Sequence, residues 1–263
     1  MLRTKHRRWV LAAENVKMVE IITQSPQLSN SVSAILNNCA KFVQNIIPQA
    51  CPLCGSASEI NGLCAPCHFH LPHHSAASCP VCALPTSHGD ICGHCLKTAP
   101  AFNDTLAAFT YDFPVDSLVH ALKYGGNLAI AGLLAAPLAA LAKNRPKPDL
   151  LIPMPLHQNR IRERGFNQSL EIARILSRRF DIPVLASACQ RTRDTVPQAS
   201  LSLKLRTGNI RGAFICNSED FRGKKIAIVD DVMTSGATIN ELSKELRKQG
   251  AAEISAWVVA RAL

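Results

Sequence analysis

No stretch of this 263-residue sequence is apolar for long enough to cross a membrane. The longest candidate, Leu128 to Ala142, is interrupted by Gly132 and Pro137 and falls short of the roughly 20 residues a spanning helix needs. No export signal is expected either. Arg7 and Arg8 precede an apolar run, but Glu14 ends it before a signal core is reached. The expectation is a cytoplasmic protein with no transmembrane segment. No GxxxxGK[ST] pattern occurs, which argues against a P-loop ATPase. Acidic residues are scarce: 19 Asp and Glu stand against 29 Lys and Arg, for a net charge of +10. That balance suits a phosphate-bearing ligand, nucleic acid or an anionic membrane surface, or it serves only solubility.

Cysteine, in contrast, is plentiful and clustered. Of 11 cysteines, eight lie between Cys51 and Cys95. Cys51, Cys54, Cys64 and Cys67 recur, 28 residues on, as Cys79, Cys82, Cys92 and Cys95. The units read "CPLCGSASEINGLCAPC" and "CPVCALPTSHGDICGHC". Two cysteines three apart turn both sulfurs onto one cation, and a second pair completes a tetrahedron around zinc. In a cytosolic chain such a cluster reads as metal binding before disulfides. One or two structural zinc ions are expected. Either each repeat holds its own ion or the repeats interleave their ligands. Gly55 follows the first pair, where tolerance of positive φ is useful; Ala83 stands there in the second. His68, His70, His73, His74, His88 and His94 lie nearby, but four cysteines already fill each site, so they read as solvated loop residues.

Upstream, Val32, Ile35, Leu36, Cys39, Phe42, Val43, Ile46 and Ile47 have helical spacing, closed by Pro48. Cys39 reads as a small buried residue on that helix. Downstream of about Leu106, strand and helix signals alternate. "LAAFTY" and "DLLIPMP" read as strands, as do "KIAIVDD" and "ISAWVVA". Helices are expected over Pro114–Lys123, Leu128–Lys143, Asn167–Phe180 and Gly236–Gln249, with "KYGGN" (Lys123 to Asn127) as a Gly-rich loop. Alternation of this kind predicts an α/β domain with a mostly parallel sheet. The organisation is then an N-terminal extension and helix (1–50), a double CxxC module (51–100) and an α/β domain (105–263).

"IAIVDDVMTSGATINELSKEL", Ile226 to Leu246, carries the chemistry. Asp230 and Asp231 fall at the carboxyl end of a buried strand, where parallel sheets place their ligands. The following loop leads into a helix whose first N–H groups are free and whose dipole favours an anion. Thr234, Ser235 and Thr238 add hydroxyls, and Gly236 lets the backbone approach closely. Carboxylates beside a phosphate cradle need a partner of their own, either sugar hydroxyls or a divalent cation. A ribose carrying a phosphate satisfies both halves. A receiver domain is not expected, since the 32 residues after Asp231 are too few for that fold.

This stretch resembles the phosphoribosyl pyrophosphate (PRPP) motif of type I phosphoribosyltransferases: apolar strand, two acids, then Thr-x-Gly-x-Thr. "PMPLHQNRIRERGFNQ", "RTRDTVPQASLSLKLRTGNIRGAF" and "LVHALKYGGN" resemble the competence protein F family, whose members carry N-terminal zinc-binding cysteines. The resemblance runs from about Cys51 to Ala260. It implies a type I phosphoribosyltransferase fold with a small zinc-ribbon-like module, Mg-PRPP as ligand, and a role in DNA uptake. Asp230 and Asp231 would hold the ribose hydroxyls. Thr234, Ser235, Gly236, Ala237 and Thr238 would hold the 5′-phosphate. The loop at Pro155 to His157 takes the place where pyrophosphate binds. Arg160, Arg162 and Arg164 either clamp its oxygens, as guanidinium forks suit, or form a solvated or nucleic-acid-facing run. Lys123 and Tyr124 either close over the ligand or belong to a plain turn; Arg191 and Arg193 are weaker candidates.

One departure concerns catalysis. Many purine-type enzymes of this fold carry aspartate, a potential base, where this chain has Thr234. An acceptor needing little activation, such as ammonia or an amine, or a base such as His157, would fill that role. The alternative is a non-catalytic module that senses PRPP or engages single-stranded DNA or a protein of the transformation machinery.

Overall fold

A computed structural model of the chain describes residues 50–59, 62–194, 210–217 and 221–263. The helix expected over 31–47, with Cys39, lies outside the described residues. So does most of the long basic stretch that follows Arg193.

The cysteine region contains two short helices, α1 (Ala65–Phe69) and α2 (Gly93–Lys97). They keep the 28-residue offset of the sequence repeat. Next come β1 (Asp104–Thr110), α3 (Val115–Gly125), α4 (Ala129–Ala142) and β2 (Leu150–Pro153). A short helix α5 (Gln158–Arg164) and a longer α6 (Gln168–Phe180) follow. Strands β3 (Cys189–Arg191) and β4 (Phe214–Cys216) pair antiparallel. The chain ends with β5 (Lys225–Met233), α7 (Ala237–Lys248) and β6 (Glu253–Arg261).

The main sheet is parallel throughout, in the order β1-β6-β5-β2. Parallel strands are buried on both faces, so they read as unbroken apolar runs. Side chains still alternate between faces. Ala227 and Val229 of β5 point to the face covered by α3, α4 and α6. Ile226 and Ile228 point to the other, covered by α7 and the β3–β4 pair.

The two cysteine units divide along the same lines. Cys51, Leu63, Cys64 and Leu71 join the first cluster, and Cys79, Cys82, Ala83 and Cys95 join the second. Between them the chain crosses the exposed side of β1. His74 N–H donates to Ala108 O, Thr110 N–H to Pro72 O, and Thr105 N–H to Pro80 O. The edge strand is thereby capped rather than left open to pair with another chain.

Several boundaries differ from the sequence expectation. Asn167 does cap α6, accepting from the N–H groups of Ser169 and Leu170. The "KYGGN" segment is different: α3 continues through Lys123 and Tyr124 to Gly125, and Gly126 ends it with φ 64°. Met233 belongs to β5 rather than to the following loop. The arginine run, for which no element was expected, is helix α5, capped at one end by His157 and ended by Gly165 at φ 78°.

Candidate functional site

The cysteines form two separate groups, Cys51/Cys54/Cys64/Cys67 and Cys79/Cys82/Cys92/Cys95, each with its sulfurs within 4.8 Å of one another. The interleaved alternative is ruled out. The Cys54–Cys64 and Cys82–Cys92 Sγ pairs are each 3.5 Å apart. Zinc–thiolate bonds of about 2.3 Å give a tetrahedron with edges of about 3.8 Å, so the donor set fits zinc. The two groups are built alike. Gly55 N–H donates to Cys51 O and Ala83 N–H to Cys79 O, both at 2.8 Å. Both knuckles need a left-handed residue: Gly55 has φ 78°, and Ala83 has φ 56°. A Cβ is unwelcome there. Ala83→Gly is therefore expected to stabilise the second knuckle by about 0.5–1 kcal/mol after the entropy cost of glycine, readable by urea denaturation.

Asp230 and Asp231 lie buried near the carboxyl end of β5, 8% and 3% exposed. Two carboxylates this close and this dry do not both ionise easily. The structure separates them. Burial, then the neighbouring Asp231 charge, pushes Asp230 up to about 8. Its Oδ1 accepts from Ser169 Oγ at 3.0 Å and from the Asp231 N–H at 2.9 Å. Burial acts to raise Asp231 as well, but the Lys123 ammonium outweighs it and holds that carboxyl below its ordinary range. Lys123 Nζ forms an ion pair with Asp231 Oδ2, and Gln168 Nε2 donates to Oδ1 at 3.3 Å. For Lys123, burial would lower the pKa, but the Asp231 charge overcomes it and raises it.

The network continues outward. Arg164 Nη1 donates to Gln168 Oε1 at 3.1 Å. The Arg164 guanidinium also sits 5.1 Å from the Tyr124 ring centroid, a cation–π distance. Lys123, Tyr124, Arg164 and Asp231 thus meet, although they come from α3, α5 and β5. Gln168 and Ser169 were missed by sequence reasoning. The available signal was their place just after the Asn167 cap, in the first turn of a helix packed on β5.

Beyond β5, Gly236 (φ 76°) turns the chain into α7. A Cβ at this position would stand 2.7 Å from Met233 Cε. Gly236→Ala is expected to cost about 1–2 kcal/mol from left-handed strain, checked by denaturant unfolding. Thr234, Ser235, Ala237 and Thr238 are all half-buried. Ser235 Oγ accepts from the Ala237 N–H at 3.4 Å.

Of the remaining candidates, His157 and Arg160 form a second group around Asp194. His157 Nδ1 lies 3.5 Å from Asp194 Oδ2, and Asn159 Nδ2 donates to the same oxygen at 2.7 Å. Arg160 pairs with Glu163 at 2.8 Å and lies 4.0 Å from Asp194. The Asn159 hydrogen bond, then the His157 and Arg160 charges, hold Asp194 below the usual carboxylate range against slight burial. Arg162 is exposed. Arg193 Nη1 donates to Arg211 O at 2.9 Å. Arg191 stands between the groups. Burial lowers its pKa, while the charges of Asp230 and Asp194 raise it.

Comparisons with known proteins agree with this architecture. The phosphoribosyl transferase domain family matches residues 167–263, and the double zinc ribbon domain family matches residues 42–96. Competence protein F of Haemophilus influenzae is 34% identical over 77% of this chain and 91% of its own length. DNA utilization protein YhgH of Escherichia coli K12 is 33% identical over 82% of this chain and 99% of its own. Competence protein ComFC of Bacillus subtilis is 25% identical over 76% and 84%. The chain belongs to the competence protein F family, with a type I phosphoribosyltransferase fold behind an N-terminal double zinc ribbon.

Proposed function

We propose that this protein binds Mg-PRPP at the carboxyl end of β5, transfers its phosphoribosyl group to an acceptor, and serves DNA uptake in the cytoplasm. The observation that carries the reading is the split carboxyl pair. Burial and the Asp231 charge raise Asp230 while the Lys123 ammonium lowers Asp231, and Lys123, Gln168 and Ser169 hold the two carboxyls in place, so the pair faces the two ribose hydroxyls with unequal proton affinity. The start of α7 and the 234–238 loop then take the 5′-phosphate. Arg164 is the arginine best placed to reach pyrophosphate, since it already joins the Asp231 network. Magnesium, when bound, would neutralise pyrophosphate oxygens, with Asp230 and Asp231 the nearest carboxyl donors. In the transfer step the C1–O bond to pyrophosphate breaks, positive charge develops at C1, and the acceptor's lone pair forms the new bond to C1. Positioning and electrostatics would supply most of the acceleration. The relatives' names, competence protein F and DNA utilization protein, support the cellular role.

A second reading is favoured by two observations. Thr234 cannot serve as a base, and His157 is tied to Asp194 rather than to the Asp231 network. The protein would then sense PRPP without turning it over, and its net charge of +10 would engage single-stranded DNA or a partner of the transformation machinery. Pyrophosphate release from Mg-PRPP, followed by phosphorus NMR across ammonia, amines and bases as acceptors, separates the two. Release with any acceptor supports transfer. Tight PRPP binding with no release supports sensing, and DNA affinity that does not fall with salt would count against direct phosphate contacts.

A further inference from the structure

Arg261, the last residue of β6, is 3% exposed. A guanidinium that dry needs both hydrogen-bond acceptors and a compensating charge. The acceptors are all carbonyls. Nε donates to Cys82 O at 2.7 Å, and Nη1 donates to Met233 O at 3.1 Å and to Thr234 O and Ala262 O. Through Cys82 O it abuts the Cys79/Cys82/Cys92/Cys95 group, whose sulfurs lie within 4.8 Å of one another. No ion pair with a carboxylate is formed among the described residues. Four thiolates around one zinc ion carry about two net negative charges, which is what this cation lacks.

One side chain therefore grips the second metal knuckle with one edge and the start of the phosphate loop with the other. A second link runs in parallel. Thr105 Oγ1 donates to Val81 O at 2.6 Å and lies 3.9 Å from Met233 Sδ. Met233 in turn fills the space beneath Gly236. The first cysteine group packs on the opposite face of the sheet and has no such link among the described residues.

We infer that Arg261 is a positioning residue that couples zinc at the Cys79/Cys82/Cys92/Cys95 site to phosphate binding at the 234–238 loop, so that each ligand tightens the other. The coupling half of this rests on the proposed PRPP site; the counter-ion half does not. Coupling is reciprocal by linkage, and a factor of about ten is typical.

The test follows zinc release from the full-length, zinc-loaded protein to a chromophoric chelator, with Mg-PRPP as ligand. Cys54→Ser identifies the release phase of the first site, leaving the other to the second. Without ligand, Arg261→Gln is expected to speed release from the second site only. Equal second-site rates in Arg261→Gln and the unaltered protein overturn the counter-ion assignment. With Mg-PRPP, the second phase is expected to slow about tenfold in the unaltered protein and to be unmoved in Arg261→Gln. If calorimetry shows PRPP bound while that phase stays the same, the coupling is wrong and the PRPP site stands. If calorimetry shows no binding, the PRPP reading fails, and with it the coupling; the ligand-free arm still decides the counter-ion role. Arg261→Lys, which keeps the charge but lacks the fork, serves if Arg261→Gln does not fold. It should restore ligand-free release and leave the PRPP effect weakened, a split that a merely structural role would not produce.

Discussion

Asp231→Asn is expected to destabilise the protein by about 2–3 kcal/mol, whereas Asp230→Asn is expected to stabilise it at pH 7. The two residues are neighbours in sequence and both are buried, so only their charge states separate them. Asp231 is the ionised member, paired with Lys123. Removing its charge strands an ammonium, and breaking a buried pair typically costs 3–5 kcal/mol; the lower figure reflects the 21% exposure of the Lys123 side chain. Asp230, pushed up to about 8 by burial and the Asp231 charge, keeps in the fold a proton that the unfolded chain gives up at pH 7, and an amide of the same shape removes that cost.

The pH dependence follows from the sign of each shift. A raised pKa contributes stability that is present below the unfolded value and is lost as pH rises through the folded one. For Asp230 that window runs from about 3.8 to about 8. Asp231, whose pKa is lowered, contributes above the unfolded value and loses its contribution as pH falls. Urea unfolding of the unaltered protein should weaken, relative to Asp230→Asn, between pH 5 and pH 9. Parallel curves would show that Asp230 is ionised at neutral pH and that the pair is not split.

Stripping both zinc ions is expected to unfold the 50–100 region and leave β1 unprotected. Structural zinc contributes roughly 10 kcal/mol or more of apparent free energy, comparable to the whole stability of a typical domain. Cysteines of both groups are part of the two apolar clusters that cover the sheet, so the loss should not stay local. Hydrogen exchange on the chelated protein should show fast exchange through 50–110, with β5 the last strand protected. Native-like protection of β1 without zinc would mean that the sheet edge holds without its cap.

How much of this was legible in the sequence depended on distance along the chain. The β5–loop–α7 motif and both cysteine groups are local patterns, and each sits within a few residues of where its spacing placed it. The pairing of the cysteines was not legible, because spacing alone is blind to which repeat folds back on which. Lys123 was placed where the expected helix ends and the "KYGGN" loop begins; in the structure the helix runs two residues further, to Gly125, and its last turn carries Lys123 against Asp231. Helix α5 was hidden by its arginines, which look like a charge run, and its cap is a histidine rather than Ser, Asp or Asn. Strands β3 and β4 are three residues each, too short for alternation to register. Their paired Cys189 and Cys216 form a disulfide in this structure, a pairing the sequence reading did not consider. Arg261 ends an apolar strand and looks like a terminal solvent-facing charge, yet it is among the most buried charged groups described.

The measurement that tests the account most directly is calorimetric titration of the zinc-loaded protein with PRPP, with magnesium present and then removed. The account predicts saturable binding with magnesium, strong weakening without it, and no binding in the Asp230→Asn, Asp231→Asn double variant with its fold intact. No heat at millimolar PRPP, or unchanged binding in the double variant, would contradict the assignment of the β5 carboxyl pair and the 234–238 loop as a ribose-phosphate site.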